Sequence, residues 1–184
     1  TRGLNTSDCS AKIFNDEMSI DVGRYEDYFI QEIVPFVDDN FNTITSRDRR
    51  YVGGASAGGF AAIHYGLRYP ELFSKVGGHM PAVELDLDPS DLPYYGSEEK
   101  FHNNNPLEFG DFNEYHKIQS WYLDAGDKDE GGFDKTIKIL NELLVNQGIK
   151  TECHISNGHH NLEYISENLE KYLIFYNGKL VVVR

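Results

Sequence analysis

The sequence predicts an α/β domain built on a mostly parallel sheet. Two observations carry this. Short apolar strands alternate with helical segments from Gly23 to Tyr176, the pattern of strand–helix–strand units. One of those strands, Arg49 to Gly54, runs straight into glycines and then into an Ala-rich helix. With 184 residues, 40% of them hydrophobic and 13% aromatic, residues 1–184 have the length of a single domain and enough apolar side chains for a core.

The elements follow in order. Residues 1–22 are polar and show no clear period. From Gly23 to Asn40, Tyr25, Tyr28, Phe29, Ile33, Phe36 and Val37 recur at three- and four-residue steps, one face of a helix whose last turn Pro35 should kink. After the strand at Arg49–Gly54, Ala57 to Tyr69 reads as a helix stopped by Pro70. Phe73 to Gly77 reads as a second strand. Residues 84–117 form an irregular insertion, broken by Pro89, Pro93 and Pro106 and rich in aromatics. Ser120 to Asp124 is a third strand. Phe133 to Gln147 is an amphipathic helix with Ile137, Leu140, Leu144 and Val145 inward, ended by Gly148. Lys150 to Ile155 alternates as a fourth strand, and Asn161 to Tyr176 is the last helix.

Seventeen Lys and Arg against thirty Asp and Glu leave a net charge of −13. Such a surface repels phosphate backbones and anionic headgroups, so neither nucleic acid nor a membrane surface is an expected partner. No apolar run approaches the ~20 residues of a membrane-spanning helix. Two cysteines, Cys9 and Cys153, make neither a disulfide framework nor a zinc site. The acidic run from Asp127 resembles the start of a calcium loop, but its twelfth position is Lys138 rather than a bidentate Glu. No metal and no cofactor are expected.

The strand–helix junction reads Gly54-Ala55-Ser56-Ala57-Gly58-Gly59, a G-x-S-x-G in the setting the motif requires. A turn that tight needs small neighbours, and it leaves the serine hydroxyl exposed at the carboxyl edge of the sheet. Ser56 is therefore the candidate nucleophile, against the plainer reading of a glycine-rich turn with a solvent-facing serine. The Ala57 N–H, at a helix N-terminus, is the candidate oxyanion donor. A serine needs a histidine base held by a carboxylate. Asp124, Asp127 and Asp129 lie at or after the end of the third strand, and His159 and His160 follow the fourth; spacing does not choose among them. His79 ends the second strand at the same sheet edge and is expected in the pocket wall. Tyr94 and Tyr95, with Phe101 and Phe109, are expected as aromatic walls contributed by the insertion.

GRYEDYFIQEIVPFVDDNF, RDRRYVGGASAGGFAAIHYGLRYPELFSKVGG and the GHHN before the last helix together resemble the "putative esterase" branch of the α/β-hydrolases. That branch holds the feruloyl and acetylxylan esterases of carbohydrate esterase family one, enterochelin esterases, S-formylglutathione hydrolases and mycolyltransferases. The resemblance covers residues 20–176 and implies Ser56 as nucleophile, Asp129 as acid and His159 as base. It departs from the family pattern at Ala57, where Met is usual, and at His160, where an acidic or similarly polar residue is usual. It implies a serine carboxylic-ester hydrolase acting on a small-molecule or carbohydrate ester, feruloyl or acetyl first. The alternatives are a siderophore-ester or thioester hydrolase, or a non-catalytic relative that binds carbohydrate or protein. The family carries further strands upstream, and a loop after one of them supplies a second oxyanion N–H. The strand at Arg50–Gly53 is accordingly expected to pair with an upstream segment outside this sequence or with a second copy in a homo-oligomer.

Overall fold

The computed structural model describes residues 13–15, 20–22 and 25–177. Four strands form a parallel sheet in the order β3 (Tyr51–Ala55), β4 (Lys75–His79), β5 (Ser120–Gly126) and β6 (Lys150–Ser156). Two shorter strands that the polar N-terminal stretch did not announce, β1 (Ile13–Asn15) and β2 (Ile20–Val22), pair antiparallel as a separate ribbon. The register aligns Ala55, His79 and Asp124 side by side at the carboxyl edge, which sets the level of the site.

Alternation along β5 divides the core between the two faces. Trp121, Leu123 and Ala125 point to one face and pack with Phe60, Ile63, Leu67 and Val76, and with Ile137, Leu140 and Leu144. Phe60, Ile63 and Leu67 come from the inner face of α3 (Ala57–Arg68), and Ile137, Leu140 and Leu144 from that of α7 (Phe133–Asn146). Tyr122 points to the other face, onto Tyr172 and Phe175 of α8 (Leu162–Asn177). The expected inward set of α7 holds except at Val145, which is 52% exposed. Val145 lies one position, about 100°, past Leu144 and so off the buried stripe.

The first helical stretch is continuous but unevenly wound. A turn, α1 (Tyr25–Asp27), opens into a π-helical segment at Tyr28–Ile33 and returns to α geometry in α2 (Val34–Asn40). The Val34 N–H donates to the Phe29 carbonyl, five residues back. Pro35 follows at once. It has no N–H and its ring crowds the preceding turn, so the winding widens before the proline instead of kinking at the end.

Glu26 ties this stretch to α3. It is 1% exposed and receives the Tyr69 hydroxyl at 2.6 Å, with the His64 Nε2 at 3.1 Å and Arg68 at 3.6 Å. The YEDY and RYP segments that carry the family resemblance therefore meet at one buried carboxylate. Burial alone would raise its pKa, but the hydrogen bonds from His64 and Tyr69 and the charges of His64 and Arg68 outweigh that, and the net shift is downward.

The insertion is better ordered than its composition suggests. It contains α4 (Leu92–Tyr95), α5 (Glu98–Asn104) and α6 (Glu114–Lys117). His116, 1% exposed, places its Nε2 2.8 Å from the Leu67 carbonyl, and Gln119 donates to the Gly66 and Phe73 carbonyls. The bonds to Leu67 and Gly66 satisfy backbone acceptors at the end of α3 and fasten the insertion's last segment to it.

Among the described residues, β3 has β4 on one side and no strand on the other. Beside β3 runs an apolar groove of about 560 Å³ lined by Phe29, Ile33, Val37, Ile44, Tyr51 and Phe73. The expected outside partner for this strand has no counterpart among the described residues. Lys179–Arg184, which has strand character in sequence, lies outside them.

Candidate active site

The tight strand–helix turn at Ser56, an elbow between β3 and α3, forms as the small residues require. Ser56 has φ 55° and ψ −123°, a conformation a side chain adopts only when its surroundings hold it there. Here they do. The Ser56 N–H donates to the His79 carbonyl at 2.9 Å, and its own carbonyl accepts from Phe60 and Ala82, each at 3.0 Å. A Cβ on Gly54 would overlap the Gly58 backbone, and one on Gly59 would meet the Gly54 carbonyl oxygen at 2.9 Å and Pro81 at 3.0 Å. A Cβ on Gly58 would meet nothing within 4 Å. The steric demand therefore falls on Gly54 and Gly59 rather than on every small neighbour. Ala57 opens α3, so its N–H has no intrahelical acceptor and carries the positive end of the helix dipole.

Two loops complete the site, one after β5 and one after β6. They lie against each other: the Lys128 N–H donates to the Gly158 carbonyl at 2.9 Å, and a Cβ on Gly126 would overlap that same carbonyl. The three acids that spacing could not rank have separate places. Asp124 lies under the sheet, 1% exposed, accepting from the Tyr172 hydroxyl at 2.8 Å and facing the His79 Nδ1 at 3.3 Å. Asp127 accepts the Gly158 N–H at 3.0 Å. Asp129, whose side chain is 0% exposed, accepts the Gly131 N–H on one oxygen and reaches His160 with the other.

The histidine at the site is His160, not the expected His159. The His160 Nδ1 is 2.8 Å from the Asp129 Oδ2, and its Nε2 is 2.9 Å from the Ser56 Oγ. A carboxylate accepts only, so Nδ1 carries the proton and Nε2 is free to accept from the serine hydroxyl. The Phe133 ring packs edge-on against the imidazole at 5.3 Å. His159 faces outward to Glu130, with its Nδ1 2.7 Å from Oε1, and both side chains are more than half exposed. The physical reason is alternation. Once Gly158 turns the chain, with φ 154°, the next two side chains diverge, and the second of them enters the cleft. Counting from the glycine alone misses that one-residue step. A usable signal was the second acid, Glu130, directly after Asp129: two acids opposite two histidines pair in crossed order.

Two of the expected pocket residues, His79 and Tyr95, are buried. His79 is 6% exposed and its ring is turned under the sheet, packed at a tilt on Tyr172 at 3.8 Å with Nε2 3.0 Å from the Tyr176 hydroxyl. Its link to Ser56 runs through its backbone carbonyl. Tyr95 is 5% exposed and packs edge-on against Phe101 at 5.1 Å, and Phe109 packs against Phe112 at 4.9 Å. These two aromatic pairs pack within the insertion. The Tyr94 side chain lies outside the described residues. Among the described residues, no cluster of three or more His, Cys, Asp or Glu side chains could hold a metal ion, and no helix is long and apolar enough to cross a membrane.

A family model described as "Putative esterase" matches residues 16–176. The chain belongs to that family. A stretch of 65 residues, 35% of this chain, is 32% identical to a Mycobacterium tuberculosis protein named Esterase Rv1288 and spans 14% of that protein. Among solved structures, a ferulic acid esterase superposes with a TM-score of 0.72 at 22% identity, over 84% of this chain and 61% of that one. An S-formylglutathione hydrolase from Agrobacterium tumefaciens superposes with a TM-score of 0.69 at 19% identity, over 93% of this chain and 62% of that one. The fold is that of the α/β-hydrolases. The chain spans about three fifths of the length of these two structures and a small part of the curated relative.

Proposed function

We propose that the protein is a serine carboxylic-ester hydrolase in which Ser56, His160 and Asp129 act together. The observation that carries this reading is the unbroken chain from the Ser56 Oγ through both nitrogens of His160 to a fully buried carboxylate. Ser56 Oγ attacks the ester carbonyl carbon while its proton passes to the His160 Nε2. The imidazolium so formed is stabilised by Asp129. The Ala57 N–H steadies the oxyanion. Collapse breaks the acyl C–O bond, and the leaving alkoxide takes the proton from Nε2. Water then attacks the acyl-serine by the same route in reverse.

The proposed substrate is an acylated carbohydrate carrying a feruloyl or acetyl ester. The likeness to a ferulic acid esterase supports it, and the likeness to an S-formylglutathione hydrolase keeps a thioester as the competing substrate. Turnover of feruloyl-arabinose and acetyl-xylose esters against S-formylglutathione and a catecholate siderophore ester separates them. A preference for the carbohydrate esters supports the reading, and a preference for the thioester or siderophore ester overturns that choice of substrate. The side of β3 that has no strand among the described residues is where we place a further strand, from upstream or from a second copy, whose loop brings a second N–H to the oxyanion.

A further inference from the structure

We propose that Glu130 is a positioning residue for His160, holding the general base in register through its backbone. This inference rests on the hydrolase reading above.

Glu130 bridges two consecutive residues of the facing loop. Its Oε1 lies 2.7 Å from the His159 Nδ1, and its Oε2 accepts the His160 N–H at 3.1 Å. That second bond holds the backbone from which the catalytic imidazole projects. With the Gly158 N–H on Asp127 and the His160 ring on Asp129, the acid loop grips three successive residues through three carboxylates. The run Asp127-Lys128-Asp129-Glu130 thus acts as a clamp on the histidine loop, and its negative charge serves geometry rather than solubility alone.

Two features make Glu130 the member of the clamp to test. First, its carboxylate is exposed, at 66%, while Asp129 is wholly buried, so changing it opens no cavity and breaks no catalytic contact. Second, the carboxylate stays ionised at any working pH. The backbone N–H of His160 is the largest cause holding its pKa down to about 2, ahead of the His159 hydrogen bond. The clamp is therefore closed whenever the imidazole is able to act as a base. The charged groups facing His160 are Asp129 and Glu130 from the acid loop and His159 from its own loop.

The test compares wild type, Glu130→Ala and Glu130→Gln in the full chain, using 4-nitrophenyl acetate turnover across pH and the rate of inactivation by a fluorophosphonate. Displacing a catalytic group by as little as ~1 Å can cost up to a hundredfold. We expect Glu130→Ala to lower kcat about tenfold with KM within twofold. Fluorophosphonate labelling should slow in proportion, with the thermal transition little changed. The Gln amide oxygen can accept the same His160 N–H, so Glu130→Gln should recover most of kcat. Both variants remove a negative charge near the imidazole and should move the acidic limb of kcat/KM to lower pH by a few tenths of a unit. A Glu130→Ala enzyme with wild-type kcat, one impaired only in KM, or a Gln variant as slow as the Ala variant overturns the assignment. A wild-type chain that neither turns over nor labels defeats the hydrolase reading and this inference with it. An active, labelled wild type matched by Glu130→Ala defeats this inference alone.

Discussion

Replacing His160 with Ala and, separately, His159 with Ala should split two adjacent residues by several orders of magnitude. The His160 imidazole is the only side chain described in contact with both the Ser56 Oγ and the Asp129 carboxylate. Its loss removes the acceptor for the serine proton and the donor to the leaving group together. For a base acting as one unit with its nucleophile, kcat should fall about 10⁴-fold or more, about 5.5 kcal/mol of transition-state stabilisation. The same change leaves the buried Asp129 carboxylate with the Gly131 N–H as its remaining contact in the structure, so a loss of about 1–3 kcal/mol of stability should accompany it. The His159 ring is 55% exposed and pairs with a carboxylate that is 66% exposed. Solvent screens such a pair to about 1 kcal/mol or less, and the His160 N–H bond to Glu130 does not pass through that ring. His159→Ala should therefore stay within about threefold of wild type. Initial rates on an activated aryl ester, with chemical unfolding of each variant as a control, give both numbers. A dead His159→Ala beside an active, folded His160→Ala would refute the assignment of the base.

Two further outcomes follow from the structure. Gly54→Ala must displace the Gly58 backbone and should both destabilise the chain and abolish activity, whereas Gly58→Ala, whose Cβ meets open space, should fold and retain its elbow; thermal melts and aryl-ester rates of the pair check this. Burial would raise the Glu26 pKa, but the hydrogen bonds from His64 and Tyr69 hold it below the ordinary glutamate value of 4.5, so its contribution to stability is fully present above that value and is lost as pH falls through the lower, folded pKa. Glu26→Gln should cost about 2 kcal/mol near neutral pH, with the difference from wild type shrinking in urea melts as pH drops below 4.5.

What could be read from the chain depended on how locally each feature is determined. The elbow was legible because its steric rule involves neighbours in sequence: Gly54 and Gly59 must be small for Ser56 to take its positive φ. The β6 strand was legible because the alternation along Lys150 to Ile155 matches its alternating exposure. His160 was less so, since two histidines side by side differ only in which way the loop after Gly158 turns them. The contacts that decide this, from Asp129 and Glu130, come from a loop about thirty residues away. His79 misled for a similar reason. Register put it at the right edge of the sheet, but strand alternation aimed its ring at Asp124, Tyr172 and Tyr176 on the far face. The aromatics of the insertion suggested a binding wall by composition, while Tyr95 packs on Phe101, and Phe109 packs on Phe112 and the core. The β1–β2 ribbon went unread because its strands are three residues each, too short for the alternation of Ile20 and Val22 to stand out.

The claim that Ser56 is a nucleophile activated by His160 is tested most directly by covalent capture. The full chain is incubated with a fluorophosphonate, digested, and the modified residue located by tandem mass spectrometry, in wild type and in His160→Ala. The structure predicts a single adduct on Ser56 in the wild type and labelling slowed by at least a hundredfold in His160→Ala. An adduct on another residue, or equal labelling of the two proteins, would contradict it.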